Sequence, residues 1–165
     1  MNMKSILLSL FAISLSWRSS CQKLFPLSDS DKIQFIEEHQ KWRAEVKSEP
    51  LKWSIDIQKK AEDYALKLAK LGRLQHSNSG LGENLYWFSG QTFNPADATD
   101  AWGSEKSLYK PGTKISNTNY HDFGHYTQMI WHKTTEVGCG VAQSQHGTFV
   151  VCQYNPPGNY LDEKP

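Results

Sequence analysis

His76 and Glu83 stand seven positions apart in the stretch HSNSGLGENLYWF (76–88), with a glycine-rich turn between them and an aromatic run behind them. An imidazole and a carboxylate brought together across such a turn suit either acid/base work or a metal ligand backed by its orienting group. Three further polar residues lie in apolar surroundings: His39, Glu105 and His125. Glu105 falls on one helical stripe with Ala98, Trp102 and Tyr109, and a carboxylate turned toward a core needs a partner. Spacing alone does not bring these side chains into one site. No familiar nucleophile or cofactor motif accompanies them: G-x-S-x-G, H-E-x-x-H, a C-x-x-C pair and a phosphate-binding glycine loop are all missing from the chain.

The elements that must position these residues are legible in outline. SDSDKIQFIEEHQKWRAEV (28–46) reads as an amphipathic helix with Ser30 as its N-cap and Phe35, His39, Trp42 and Val46 on the inner face. After the break at SEP, a second helix opens at Ser54, carries Ile57, Ala61, Tyr64, Ala65 and Leu68 along one face, and stops at Gly72. Asn94 before Pro95 is the order of cap and first helical residue, so a third helix is expected to run from there toward Tyr109. Residues 109–122 read as a polar loop, and FGHYTQMIWHKT (123–134) as a short helix with Tyr126, Met129 and Ile130 inward. The last regular element is a β-hairpin, in which two β-rich runs flank SQHG. Pairing Gln143 with Thr148 sets Cys139 opposite Cys152 and predicts a disulfide, worth about 3 kcal/mol in the chain-entropy model, with two buried thiols as the alternative.

The whole chain has 165 residues, with 18 Lys+Arg against 17 Asp+Glu, which leaves no basic stripe and argues against a nucleic-acid partner. Its first residues, with Lys4 ahead of an apolar stretch from Ile6 to Trp17, fit a secretory signal peptide; a buried or anchoring helix is the alternative. Cleavage falls within 16–22, either after Ser16 or after Cys21. The second cut gives a signal peptide of 1–21 and leaves Cys139 and Cys152 as the mature cysteines. Residues 28–165 are expected to form a single domain.

Four stretches carry a resemblance. GHYTQMIWHKT (124–134), FVVCQYNPPGNY (149–160), HQKWR (39–43) and GENL (82–85) resemble, in order, the signatures of the CAP superfamily: cysteine-rich secretory proteins, antigen 5 and pathogenesis-related 1 proteins. The resemblance runs from Asp31 to Pro165, and PPGNY is closest in flavour to plant and microbial members. It implies an α+β fold, an α-β-α sandwich with a small central antiparallel sheet flanked by helices and a central cleft. It further implies a tetrad of His76, Glu83, Glu105 and His125 in that cleft, with His76 and His125 able to hold zinc or another divalent metal and Glu83 and Glu105 orienting the rings. Gln40 stands where the family has Asn and is expected to keep the amide's hydrogen bonding. Phe123 replaces a cysteine, which reduces the family's three disulfides to one. No cysteine-rich domain follows Tyr160, so the ion-channel activity that domain gives some animal relatives is not expected.

The function so implied is that of a secreted, extracellular protein that binds rather than catalyses and requires no cofactor. Sterols or other lipids are the ligand class, and Tyr86, Trp87, Phe88 and Phe93 are the expected apolar wall. The alternative is a divalent-metal-assisted hydrolase, a peptidase, with Glu83 or Glu105 as general base. A third possibility is a defence or host-interaction factor acting through an unknown protein partner. No transmembrane segment is expected.

Overall fold

The computed structural model describes residues 22–165, so the expected signal peptide, with Cys21, lies outside the described residues. In chain order the elements are β1 (Lys23–Phe25), α1 (Asp29–Glu45), β2 (Lys52–Trp53), α2 (Ile55–Leu71), β3 (Gly82–Phe88), α3 (Pro95–Ser104) with a 3₁₀ turn at Glu105–Leu108, α4 (Tyr120–Ile130), β4 (Glu136–Ser144) and β5 (Gly147–Asn155). The sheet runs β1-β4-β5-β3 with antiparallel neighbours, and the two-residue β2 pairs parallel to the start of β4. Helix α2 covers one face. Helices α1, α3 and α4 lie on the other, which makes the α-β-α sandwich.

Strand alternation divides the core in two. Val150, Cys152 and Tyr154 of β5, with Val137, Cys139 and Val141 of β4, join Phe35, Trp102 and Met129 under the three helices. The intervening Phe149, Val151 and Ala142 meet Ala61, Ala65, Leu68 and Ala69 of α2. This second layer is thin because α2 sits almost directly on β4. A Cβ on Gly138 would lie 2.3 Å from the backbone nitrogen of Gln58, and one on Gly140 would lie 2.2 Å from that of Glu62. The hairpin has the expected register, Gln143 opposite Thr148 and Cys139 opposite Cys152, and the disulfide closes between the two cysteines. Strand pairing continues to Ser144 and Gly147, so the loop is tighter than SQHG.

Several local expectations are corrected. Helix α1 is capped by Ser28, whose hydroxyl accepts from the Asp31 amide while Asp31 reaches back to the Ser28 amide; Ser30 lies inside the helix. Val46 is 43 % exposed, because the helix ends at Glu45 and the chain turns away there. Helix α3 stops at Ser104, short of Tyr109, and tightens into the 3₁₀ turn. Helix α4 begins at Tyr120, inside the expected loop, and ends at Ile130 before WHKT; it bends at Phe123, whose φ and ψ are −145° and 17°.

Candidate functional site

Each of the two histidine–glutamate pairs grows from a different element. Glu83 enters early on β3, and the preceding 72–81 loop folds back to it. One carboxylate oxygen accepts from Nδ1 of His76 at 2.9 Å and from the Ser77 amide at 2.8 Å. The other accepts from the Ser77 hydroxyl at 2.6 Å and from the Gln153 amide of β5 at 2.9 Å. Burial pushes this carboxyl up, but the bonds from His76, Ser77 and Gln153 outweigh it and hold Glu83 below the ordinary carboxylate value. The glutamate side chain is 5 % exposed and its histidine 62 %.

Glu105 stands in the 3₁₀ turn after α3 and faces the bend of α4. Oε1 accepts from Nδ1 of His125 at 2.6 Å; Oε2 accepts the backbone N–H groups of His125 at 2.9 Å and Tyr126 at 3.2 Å. The helix restarts after Phe123, and its first free amides need acceptors. Glu105 supplies them from another part of the chain, so it caps a helix as well as orienting a ring. The carboxylate expected to need a partner thus has three donors. His125 also lies parallel to Trp102, with ring centroids 6.4 Å apart and planes 17° apart.

The two imidazoles line one cleft of about 550 Å³, together with Glu83, Asn84, Tyr120, His121 and, from the tail, Gly158 and Asn159. With Nδ1 facing a carboxylate, each neutral ring carries its proton there and keeps Nε2 as an acceptor; neither Nε2 has a hydrogen-bond partner among the described residues. That donor chemistry suits a divalent ion held by two imidazole nitrogens. Among the described residues, no group of three or more His, Cys, Asp or Glu side chains stands where it could hold a metal.

Residues 36–154 match the family model described as the cysteine-rich secretory protein family, CAP. The chain belongs to the CAP family. It is similar to pathogenesis-related protein PR-1 of Medicago truncatula, at 41 % identity over 84 % of this chain and 80 % of that one. Pathogenesis-related protein 1C of Nicotiana tabacum is 38 % identical over 79 % of this chain and 78 % of its own length. Among solved structures, NaASP2 with Zn2+ superposes with a TM-score of 0.70 at 26 % identity, over 84 % of this chain and 85 % of that one.

The CAP motifs meet in a buried polar chain beneath the cleft. Nδ1 of His39, in HQKWR, bonds the Phe35 carbonyl at 2.7 Å, which makes Nε2 the acceptor for the Tyr154 hydroxyl at 2.8 Å. Asn84 of GENL reaches the same hydroxyl and donates to the His125 carbonyl at 3.0 Å. Burial drives His39 down to about 4, so this histidine is neutral and structural. Arg43 is wholly buried and donates to the carbonyls of Glu49, Met129, Trp131 and Thr134, which fixes the exit from α4. Gln128 of GHYTQ accepts from the Gly158 amide, while Asn159 accepts from Thr127 and donates to the Gly124 carbonyl. PPGNY is thereby laid along α4 as one wall of the cleft. The Gln40 substitution does not keep its hydrogen bonding: Oε1 is buried with no partner among the described residues.

None of the four aromatics expected as an apolar wall lines this cleft. Tyr86 and Phe93 pack against the core under the three helices, and Phe88 stands 5.9 Å from Tyr86 on the same face of β3. Trp87 points the other way, is 44 % exposed and donates to the His146 carbonyl. Alternation along the strand separates them. A second cavity, of about 690 Å³, opens between the end of α1 and the middle of α4. Val46, Tyr109, Pro111, Tyr126 and Ile130 line it, with the Lys106–Glu45 ion pair among its lining residues. Sequence reasoning missed it because its walls are far apart in the chain. The one local sign was Val46, which continues the apolar spacing of α1 beyond the helix end.

Among the described residues no helix is long and apolar enough to cross a membrane.

Proposed function

We propose that this CAP protein is secreted and acts in defence by binding, not by catalysis: a sterol or other lipid occupies the groove between α1 and α4, and the cleft holds a divalent ion on His76 and His125. The engagement of both carboxylates carries this reading. A general base must be free to take a proton, yet both oxygens of Glu83 and of Glu105 accept hydrogen bonds from groups that fold the site. Removing Glu105 from its amides would uncap α4. His76 and His125 would hold the ion through their free ring nitrogens, and it would supply a Lewis-acidic centre.

The groove supports the lipid half of the reading. Its volume falls within the range of ligand pockets, and its apolar walls lie beside a single ion pair, a pattern suited to an apolar body with one polar end. Extracellular localisation is supported by the signal-like N-terminus, the disulfide and the likeness to pathogenesis-related relatives.

Titration of purified protein with a fluorescent sterol and a fluorescent fatty acid tests the proposal. Saturable binding of at least one is expected, lost in Val46→Lys, whose exposed position tolerates the change, and unaltered in Trp87→Ala/Phe88→Ala. Absence of saturable binding by the native chain would overturn the lipid assignment.

A further inference from the structure

We propose that the C-terminal end of α2, with Trp87 beside it, is a docking surface for anionic lipid bilayers. The helix stops at Leu71 with Gly72 as its cap, and Lys67, Lys70, Arg73 and Leu74 stand around that end. Leu71 is 45 % exposed, Leu74 43 % and Trp87 44 %, which leaves three large apolar side chains in water. Contacts at Gly72 join them into one surface. A Cβ on Gly72 would lie 2.9 Å from the ring of His146, and the His146 carbonyl accepts the Trp87 indole N–H at 2.7 Å. Trp87 also stands opposite Phe149, which packs beneath α2.

Charge selects the occupant. From Tyr64 to Gln75 the chain holds three basic residues and no carboxylate. Lys67, Lys70 and Arg73 are exposed and make no ion pair among the described residues; Lys67 lies over the Tyr64 ring at 5.5 Å. On the opposite face of the sheet, α1 and α3 expose Asp29, Glu37, Asp97 and Asp100. A negative surface therefore attracts α2 and repels the far side, so the molecule arrives with Leu71, Leu74 and Trp87 foremost. Basic side chains at headgroup level around an indole and two leucines form an interfacial site. An acidic polysaccharide would satisfy the cations but leave both leucines in water. The groove between α1 and α4 lies across the sheet and takes no part.

Co-sedimentation of the full chain with phosphatidylcholine vesicles, with and without phosphatidylglycerol, tests this. Binding is expected to rise steeply with the anionic lipid and to weaken as salt is added. Lys70→Glu/Arg73→Glu should reduce the partition at least about twentyfold, about fivefold for each basic side chain lost. Lys110→Glu/Lys114→Glu makes the same charge change at exposed positions elsewhere and should retain most of the binding. Phosphatidylglycerol brominated on its acyl chains should quench the tryptophan emission of the native chain more than that of Trp87→Phe. Vesicle binding indifferent to phosphatidylglycerol, equal loss in both charge-reversed variants, or equal quenching in Trp87→Phe would overturn the docking surface. So would binding to polygalacturonate without binding to vesicles, which would assign the basic end to an acidic polymer.

Discussion

The two histidine–glutamate pairs contain the same groups joined through the same ring nitrogen, yet they divide burial in different ways. At Glu83 the carboxylate is enclosed and the imidazole stands largely in solvent; at Glu105 both are half-buried, and His125 is flanked by Trp102. The donors explain the difference. Glu83 gathers a surface loop around itself through Ser77, whereas Glu105 terminates backbone amides of a core helix. One pair therefore organises a loop that water can re-solvate. The other underpins an element whose next residue, Tyr126, is buried.

Removing either carboxylate separates the two roles, but the largest expected effect belongs to the histidine that has no carboxylate partner. His39 titrates at about 4 in the fold and at its ordinary 6.5 when unfolded, so below pH 6.5 the unfolded chain takes up a proton that the folded chain refuses. Its contribution is full above pH 6.5 and declines as the pH falls toward 4, by about 3 kcal/mol in all. Urea unfolding of the native chain and of His39→Gln across this window measures it. The variant's stability should fall less steeply, and identical slopes would contradict a neutral buried His39.

Next in size is Glu105→Ala, which leaves the amides of His125 and Tyr126 without an acceptor and should cost about 2 kcal/mol in the same assay. Glu83→Ala should cost less, about 1 kcal/mol, because water reaches the loop donors it abandons and the buried Gln153 amide keeps the Ser77 and Ser79 hydroxyls at 3.4 Å. Reversal of that order would break the distinction between the pairs. Because the carboxyl of Glu83 is held below its ordinary value, its contribution is present above the usual carboxylate range and lost as the pH falls through and below it. Glu83→Gln should remove that acid-limb loss while leaving the limb between pH 6.5 and 4 that His39 generates. The smallest effect is expected for Val46→Lys, within about 0.5 kcal/mol of the native stability, since the side chain is on the surface.

Much of this arrangement is legible in the sequence where the physics is local. Hairpin alternation fixes the Cys139–Cys152 pair, and the Asn94–Pro95 start of α3 follows from cap chemistry alone. The start of α1 was legible too: Ser28-x-x-Asp31 spells a capping box, which Ser30, followed by Ile33, does not. Long-range consequences were not. In the sequence Glu105 reads as a carboxylate in need of a partner, but that its partners are backbone amides depends on the bend at Phe123, which no spacing announces. Tyr86, Trp87 and Phe88 read as a continuous aromatic run, although strand geometry sends alternate side chains to opposite faces. The groove between α1 and α4 joins Val46 to Ile130, and only the packed sandwich brings them together.

Native mass spectrometry of the purified full chain is the most direct test of ligand binding. A lipid-mass adduct is expected on the native protein, persisting in His76→Ala and disappearing in Val46→Lys. An adduct-free native protein, or an adduct lost in His76→Ala and kept in Val46→Lys, would contradict it.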